Sequence, residues 1–304
     1  MKVVLIFIAF CFSYAVFSQE ATYTVTNLEM NDKNPHFGLA YSNDGKVLIT
    51  SFKTNKKGRI ITDGPDPVLG LYEGNVSANG EITNIEAFKI ADSEDIQHIV
   101  SATYSPDGKK LYVSTKYGKR KNAPKGKFKD TNLHIEVAEL TISGWSGFEV
   151  LSFCKPKFSY AHPTLSADGK YMFFISDMKG TGKQYTKGKS DIYRVEMLSD
   201  GTFSEPENVG PNVNSYALEM FPFMSKDNVL FFSSNKPGGL GSYDIYSAKM
   251  NPDGTFEKAE RLPKPINSTE SDISFMLTGT NTGYLTSKRK KGKGDDDIYY
   301  VEKQ

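Results

Sequence analysis

One short pattern is written four or five times along this chain, and its spacing limits the fold more than any other feature. It reads most plainly as AHPTLSADGKYMFFIS over Ala161–Ser176, followed by SDIYRVEM over Ser190–Met197. It returns as FPFMSKDNVLFFSS (Phe221–Ser234) with YDIYSAKM, and as SATYSPDGKKLYVST (Ser101–Thr115) with HIEVAEL. Looser copies are GLAYSNDGKVLITS (Gly38–Ser51) with LGLYEGNV, and FMLTGTNTGYLTS (Phe275–Ser287) with DIYYVE. The turn aspartates Asp44, Asp107, Asp168 and Asp227 lie 63, 61 and 59 residues apart. A period of this size, built only of short strands and turns, signals a radial repeat such as a β-propeller.

Each repeat divides into four strands. The first two are nearly continuous apolar runs, such as Tyr171–Ile175 and Val229–Phe232, as expected of strands buried on both faces between neighbouring blades. A tight turn joins them: Asn43-Asp44-Gly45, Pro106-Asp107-Gly108, Ala167-Asp168-Gly169 or Lys226-Asp227-Asn228. Gly and Asn allow positive φ there, and Asp bonds its own following backbone. The third strand carries Asp-Ile-Tyr. Fourth strands are expected at Glu81–Ile90, Phe148–Phe153, Phe203–Val209 and Phe256–Leu262. The last repeat runs out after its third strand, Asp297–Glu302, while Thr22–Met30 is a strand-like segment left over at the other end. If that segment completes the last blade, the ring closes with no free sheet edge. The expectation is an all-β chain, a single five-bladed β-propeller closed by its N-terminal strand. Six blades is the alternative, should a divergent repeat hide in Lys53–Val68.

The opening MKVVLIFIAFCFSYAVFSQ reads as a secretory signal over residues 1–18, with the propeller over 19–304. Lys2 supplies the positive end, Val3–Phe17 the apolar core, and Val16-Phe17-Ser18 a cleavage pattern. The apolar run is short for a bilayer span, and nothing later in the sequence could cross a membrane. Phe10 before Cys11 excludes a lipidation signal, which needs a small residue there. The 37 Lys and Arg balance 36 Asp and Glu, so any electrostatic function must come from uneven placement of charge. Cys154, the one cysteine beyond the signal, is expected to be a buried small hydrophobe.

The repeat resembles the TolB-type, WD-like propeller family. The match rests on Pro163, Ser166, Asp168, Gly169, Lys170, Ser176, Asp191, Ile192 and Tyr193, and again on Pro222, Ser225, Asp227, Ser234, Asp244, Ile245 and Tyr246. Blade one lacks Asp-Ile-Tyr, and Gly279–Asn281 replaces the Asp-Gly turn of blade five. The resemblance implies an exported protein of a Bacteroidota-like cell envelope, periplasmic or outer-membrane-associated, with a binding or scaffolding role. The fold by itself names no partner.

Asp191, Asp244 and Asp297 recur at one repeat position, so they fall in different blades and are expected to bond local backbone. Counting back six residues from Ser42, Ser166, Ser225 and Thr278 gives His36, Tyr160, Glu219 and Asp272 at the starts of the inner strands. The same count in blade two gives Ile99, beside His98. A ring of such residues around a channel mouth could hold a sugar or a peptide end. The alternative is a glycosidase-like, carbohydrate-active enzyme using Glu219, Asp272 and Asp95, since glycoside hydrolysis needs paired carboxylates. His36, His98, His134 and His162 show no metal-ligand spacing, and no motif calls for a cofactor. Lysines crowd the loops between second and third strands, including Lys119, Arg120 and Lys121 in blade two and Arg289 and Lys290 in blade five. Two readings stay open for them: recognition of an anionic envelope component, or simple solubility. Nucleic acid is not expected as a partner, because basic and aromatic residues do not interleave. The partner expected is an envelope protein or an anionic, peptidoglycan-associated glycan.

Overall fold

The computed structural model describes residues 22–304 apart from 43, 95, 97, 117–130 and 180–187. Among the described residues there is no helix, and none that could cross a membrane. The chain begins with β1 (Tyr23–Asn27) and then builds five four-stranded antiparallel sheets. Blade one holds β2 (His36–Tyr41) and β3 (Lys46–Phe52). After a small hairpin of β4 (Thr62–Asp63) and β5 (Asp66–Pro67) come its outer strands β6 (Leu69–Val76) and β7 (Ile82–Ala87). Lys53–Val68 is therefore a loop carrying that hairpin, and the six-blade alternative falls away.

Blade two comprises β8 (Ile99–Tyr104), β9 (Lys110–Lys116), β10 (Leu133–Thr141) and β11 (Gly144–Val150). Blade three comprises β12 (Tyr160–Leu165), β13 (Tyr171–Ser176), β14 (Asp191–Glu196) and β15 (Glu207–Asn208). Blade four comprises β16 (Glu219–Met224), β17 (Val229–Ser234), β18 (Asp244–Lys249) and β19 (Glu260–Arg261). Blade five has β20 (Asp272–Leu277), β21 (Thr282–Ser287) and β22 (Asp297–Lys303), and β1 supplies its fourth strand, pairing from Tyr23↔Lys303 to Asn27↔Tyr299. The closure expected from the sequence is present. It is reinforced by the Tyr284 hydroxyl, which donates to Gly80 O of blade one at 2.8 Å.

The second strands are buried on both faces, as their apolar runs require: Leu111 and Val113 in β9 and Met172 to Phe174 in β13 are closed to solvent. Each such side chain contributes about 1.5–3 kcal/mol. Fourth strands follow the expectation less closely. Those of blades three and four shrink to two residues plus the single bridges Met197↔Phe203 and Met250↔Phe256. That of blade two starts earlier, at Gly144.

The turns and the third-strand aspartates behave as scaffold. Ser105 Oγ donates to Asp107 at 2.5 Å and Ser166 Oγ to Asp168 at 2.6 Å, and these bonds hold both carboxyls below their ordinary range. Asp191 accepts from Gly188 N and Asn208 Nδ2, and Asp297 from Lys293 N, Gly294 N and Asn27 Nδ2. Asp244 accepts from Leu240 N and Gly241 N, yet its buried Oδ1 has no partner among the described residues. Register explains the difference. Asn208 faces Tyr193 and Asn27 faces Tyr299, but Arg261 occupies the matching place opposite Tyr246 and turns its guanidinium to Gly238 O. Blade two substitutes His134-Ile135-Glu136 for Asp-Ile-Tyr, with His134 Nε2 and Glu136 Oε1 fully buried at 2.6 Å. Cys154 is buried, and burial pushes its thiol up to about 12.

Candidate functional site

The five inner strands stand side by side around the axis, and their starts fall where the repeat count places them: His36, Ile99, Tyr160, Glu219 and Asp272 open β2, β8, β12, β16 and β20. The side chains are used within the blades. Glu219 is fully buried; its Oε1 accepts from Ser215 Oγ at 2.6 Å and Ser234 Oγ at 2.9 Å, and its Oε2 from Ser215 N at 3.2 Å. Burial raises its carboxyl above the ordinary value, against the pull of these donors. Asp272 repeats the device one blade on: Ser268 N, Ser268 Oγ and Ser287 Oγ donate to it, and Arg289 Nη2 pairs with it at 2.7 Å. Tyr160 is buried, its hydroxyl 3.7 Å from Met178 Sδ and pushed up to about 12 by burial. His36 Nε2 meets Asp32 at 3.1 Å. His98 Nδ1 accepts from Leu69 N, and burial lowers the imidazole to about 4. Asp95 lies outside the described residues.

The basic residues divide in the same way. Arg289 is a fixed strut: besides Asp272 it donates to Pro265 O, Ile266 O and Ser287 Oγ and lies over the Tyr299 ring. Lys288 pairs with Asp295 and Asp296, and Lys293 Nζ donates to Leu28 O and Glu29 O. Lys290 stays in solvent, its side chain 89% exposed, with Glu270 4.0 Å away. Lys119, Arg120 and Lys121 lie outside the described residues.

Two residues into the inner strand a different feature appears. In four blades a β-bulge places two residues against one, as between Ala161↔Ile175 and Thr164↔Phe173. The first bulged residue always has positive φ: Gly38 at 66°, His162 at 53°, Phe221 at 47° and Ser274 at 52°. Glycine suits that conformation, whereas the other three hold it at a cost of about 1–3 kcal/mol each. Gly38 is also obligatory by contact, since a Cβ there would sit 2.8 Å from Val100 O. In blade two the irregularity comes earlier, between Ile99 and Ser101.

The bulges free backbone N–H groups, and the neighbouring blades take them up. His162 N donates to Ser114 Oγ, Phe221 N to His162 Nδ1, Ser274 N to Ser233 Oγ and Leu39 N to Ser274 Oγ. This girdle of bonds between blades compensates for the broken ladders. Thr50, at the matching place between blades one and two, has a buried hydroxyl without a partner among the described residues, as the displaced irregularity of blade two requires.

The side chains at this level close the axis. The His162 and Phe221 rings stack at 3.8 Å, and Phe37 meets Phe221 edge-on at 6.2 Å. Blades one and four are not neighbours in the ring, so the second contact crosses the channel. Beyond the plug lies a cavity of about 680 Å³, lined by the second halves of the inner strands and by their turns. It opens on the face opposite the inner-strand starts. His36, His98, Tyr160, Glu219 and Asp272 are not among its lining residues. The charged residues that line it are Lys226 and Asp227, both exposed on a turn at its rim.

Phe221, Tyr41 and Tyr104, which line this cavity, escaped the sequence reading, and His162 entered it only as a histidine without metal-ligand spacing. The available signal was positional: His162 and Phe221 each precede the repeated Pro of the inner strand, at the place of Gly38 in blade one.

No protein-family model and no curated protein matches the sequence. Solved structures match it over most of its length. A thermostable family-43 glycoside hydrolase aligns with a TM-score of 0.55 and 12% identity, over 91% of this chain and 92% of that one. A family-117 glycoside hydrolase produced by the marine bacterium Zobellia galactanivorans gives 0.52 and 13%, over 93% and 90%. TolB from Acinetobacter baumannii gives 0.44 and 16%, covering 89% of this chain but only 55% of TolB. The likeness to the two hydrolases is one of fold.

Proposed function

We propose that this chain is an exported, non-catalytic propeller of the TolB type that binds a protein or glycan component of the bacterial cell envelope. The observation that carries this reading is the fate of Glu219 and Asp272. Both are fully buried, and hydroxyl, backbone and guanidinium donors already occupy their oxygens. A glycosidase needs one carboxyl to protonate a leaving group and a second to attack or activate water, both open to substrate. Carboxylates locked this way serve the blades.

The signal-like segment over residues 1–18 supports export, to the periplasm or the outer membrane. The partner-binding surface is the face of the inner-strand starts, where the second strands end and Lys290 stands in solvent, with Lys119, Arg120 and Lys121 following β9 in sequence. Arg289 belongs to the scaffold beneath it. An anionic envelope glycan or an acidic protein surface suits such loops, and its attraction is screened by salt. The test is capture of peptidoglycan-containing envelope fractions by the purified chain at low and high salt, with Lys119, Arg120, Lys121 and Lys290 reversed to Glu. Capture should fall steeply with salt and be lost in the variant while the melting temperature holds. Capture indifferent to both would remove the basic face from the account.

A further inference from the structure

The blind cavity on the opposite face is built for a ligand of its own. Three bulky or polar residues, His162, Phe221 and Ser274, hold positive φ at its floor, and strain of that kind persists where surrounding structure enforces it. His162 is 95% buried, and its Nδ1 accepts from Phe221 N, so the proton sits on Nε2. Among the described residues no acceptor meets that Nε2–H. Burial lowers the imidazole to about 3, so it stays a neutral donor across the physiological range.

The walls carry further unspent hydroxyls. That of Thr103 has no hydrogen-bond partner among the described residues, and Ser274 Oγ accepts from Leu39 N with its own proton still to give. The rings of Tyr104, Phe223 and Phe275 are turned between the blades, against Trp145 and Phe231. Charge is confined to Lys226 and Asp227 at the rim. An ion carried to the floor would find no counter-charge, which is costly in a desolvated site. A purely apolar molecule would strand the His162 and hydroxyl donors. The volume falls in the range of about 300–1,000 Å³ usual for small-ligand sites.

We infer that this cavity binds the end of an uncharged saccharide, with sugar hydroxyls paired to His162 Nε2 and the wall hydroxyls. The assignment deepens the envelope-binding reading but uses a separate site. The experiment is titration calorimetry with saturation-transfer NMR on the folded chain, using maltotriose and chitotriose as neutral probes and trigalacturonate as a charged one. At least one neutral trisaccharide should bind saturably, and trigalacturonate should not. Thr103→Val should weaken binding up to about tenfold, the worth of one hydrogen bond. Thr103→Phe, which fills the cavity from a half-exposed wall, should abolish binding with the melting temperature retained. Absence of binding to both neutral probes, preference for trigalacturonate, or binding that survives Thr103→Phe would overturn the assignment. Salt-sensitive envelope capture is measured on the same variants. If it persists where sugar binding is absent, only the cavity assignment falls; if capture alone fails, only the basic-face reading falls.

Discussion

Phe221 of blade four reaches across the ring axis to Phe37 of blade one, with ring centroids 6.2 Å apart and planes at 74°. With His162 stacked on the other face of the contact, the channel is divided into two unequal ends. One end carries the buried, internally bonded strand starts, and the other opens as a hydroxyl-rich cavity. The carboxylates most suggestive of chemistry belong to the first end, while the free volume belongs to the second.

Closure by β1 predicts the outcome of truncation. Removing residues 22–30 strips five residue pairs from β22, together with buried Leu28 and the bond from Asn27 Nδ2 to Asp297. The exposed sheet edge should promote aggregation. Size-exclusion chromatography of a chain starting at Asn31 should show aggregate or failed expression; a stable monomer would refute the closure.

Arg289 and Lys290 should part company under mutation. Arg289→Ala leaves Asp272 buried beside three remaining hydroxyl and amide donors but without its ion partner, a loss of about 3 kcal/mol. Lys290→Ala should leave the melting temperature unchanged, since its side chain is solvated. Urea denaturation of both variants decides the matter, and equal effects would contradict the strut assigned to Arg289.

Glu219 makes a signed prediction about pH. Its folded carboxyl titrates above the ordinary 4.5, mainly because it is buried. The native state therefore keeps the proton to higher pH than the unfolded chain. Its contribution to stability is greatest in acid and declines as pH rises from about 4.5 toward the folded value. Glu219→Gln removes this decline, so the variant should gain on the wild type as pH rises through that window. Denaturation midpoints compared from pH 4 to pH 8 read this directly; a variant that loses ground to the wild type, or keeps a constant difference from it, as pH rises would contradict it.

The blade count and the closure were legible because four of the five repeats spell out their inner turn with Ser and Asp followed by Gly or Asn, residues whose local bonding differs little from blade to blade. The positions of His36, Tyr160, Glu219 and Asp272 were legible for the same reason. Which way they face was not. A strand buried on both sides has no polar face to set its phase, and the bulge after Ala161, Met220 and Ile273 changes that phase midway. Only Gly38 advertised the positive φ; His162, Phe221 and Ser274 adopt it through bonds to neighbouring blades that no local pattern records. The split among the blade-five cations was hidden likewise, since Arg289 and Lys290 are adjacent in sequence and opposite in environment.

Binding without catalysis is the central claim, and release of reducing ends from envelope glycans tests it most directly. Wild type and the Glu219→Gln/Asp272→Asn double variant are incubated with the envelope fractions that the chain captures, and soluble products are read by mass spectrometry. The account predicts capture by both proteins and products at the level of the protein-free control. Products released by the wild type and absent with the double variant would contradict it, and would make the buried carboxylates catalytic.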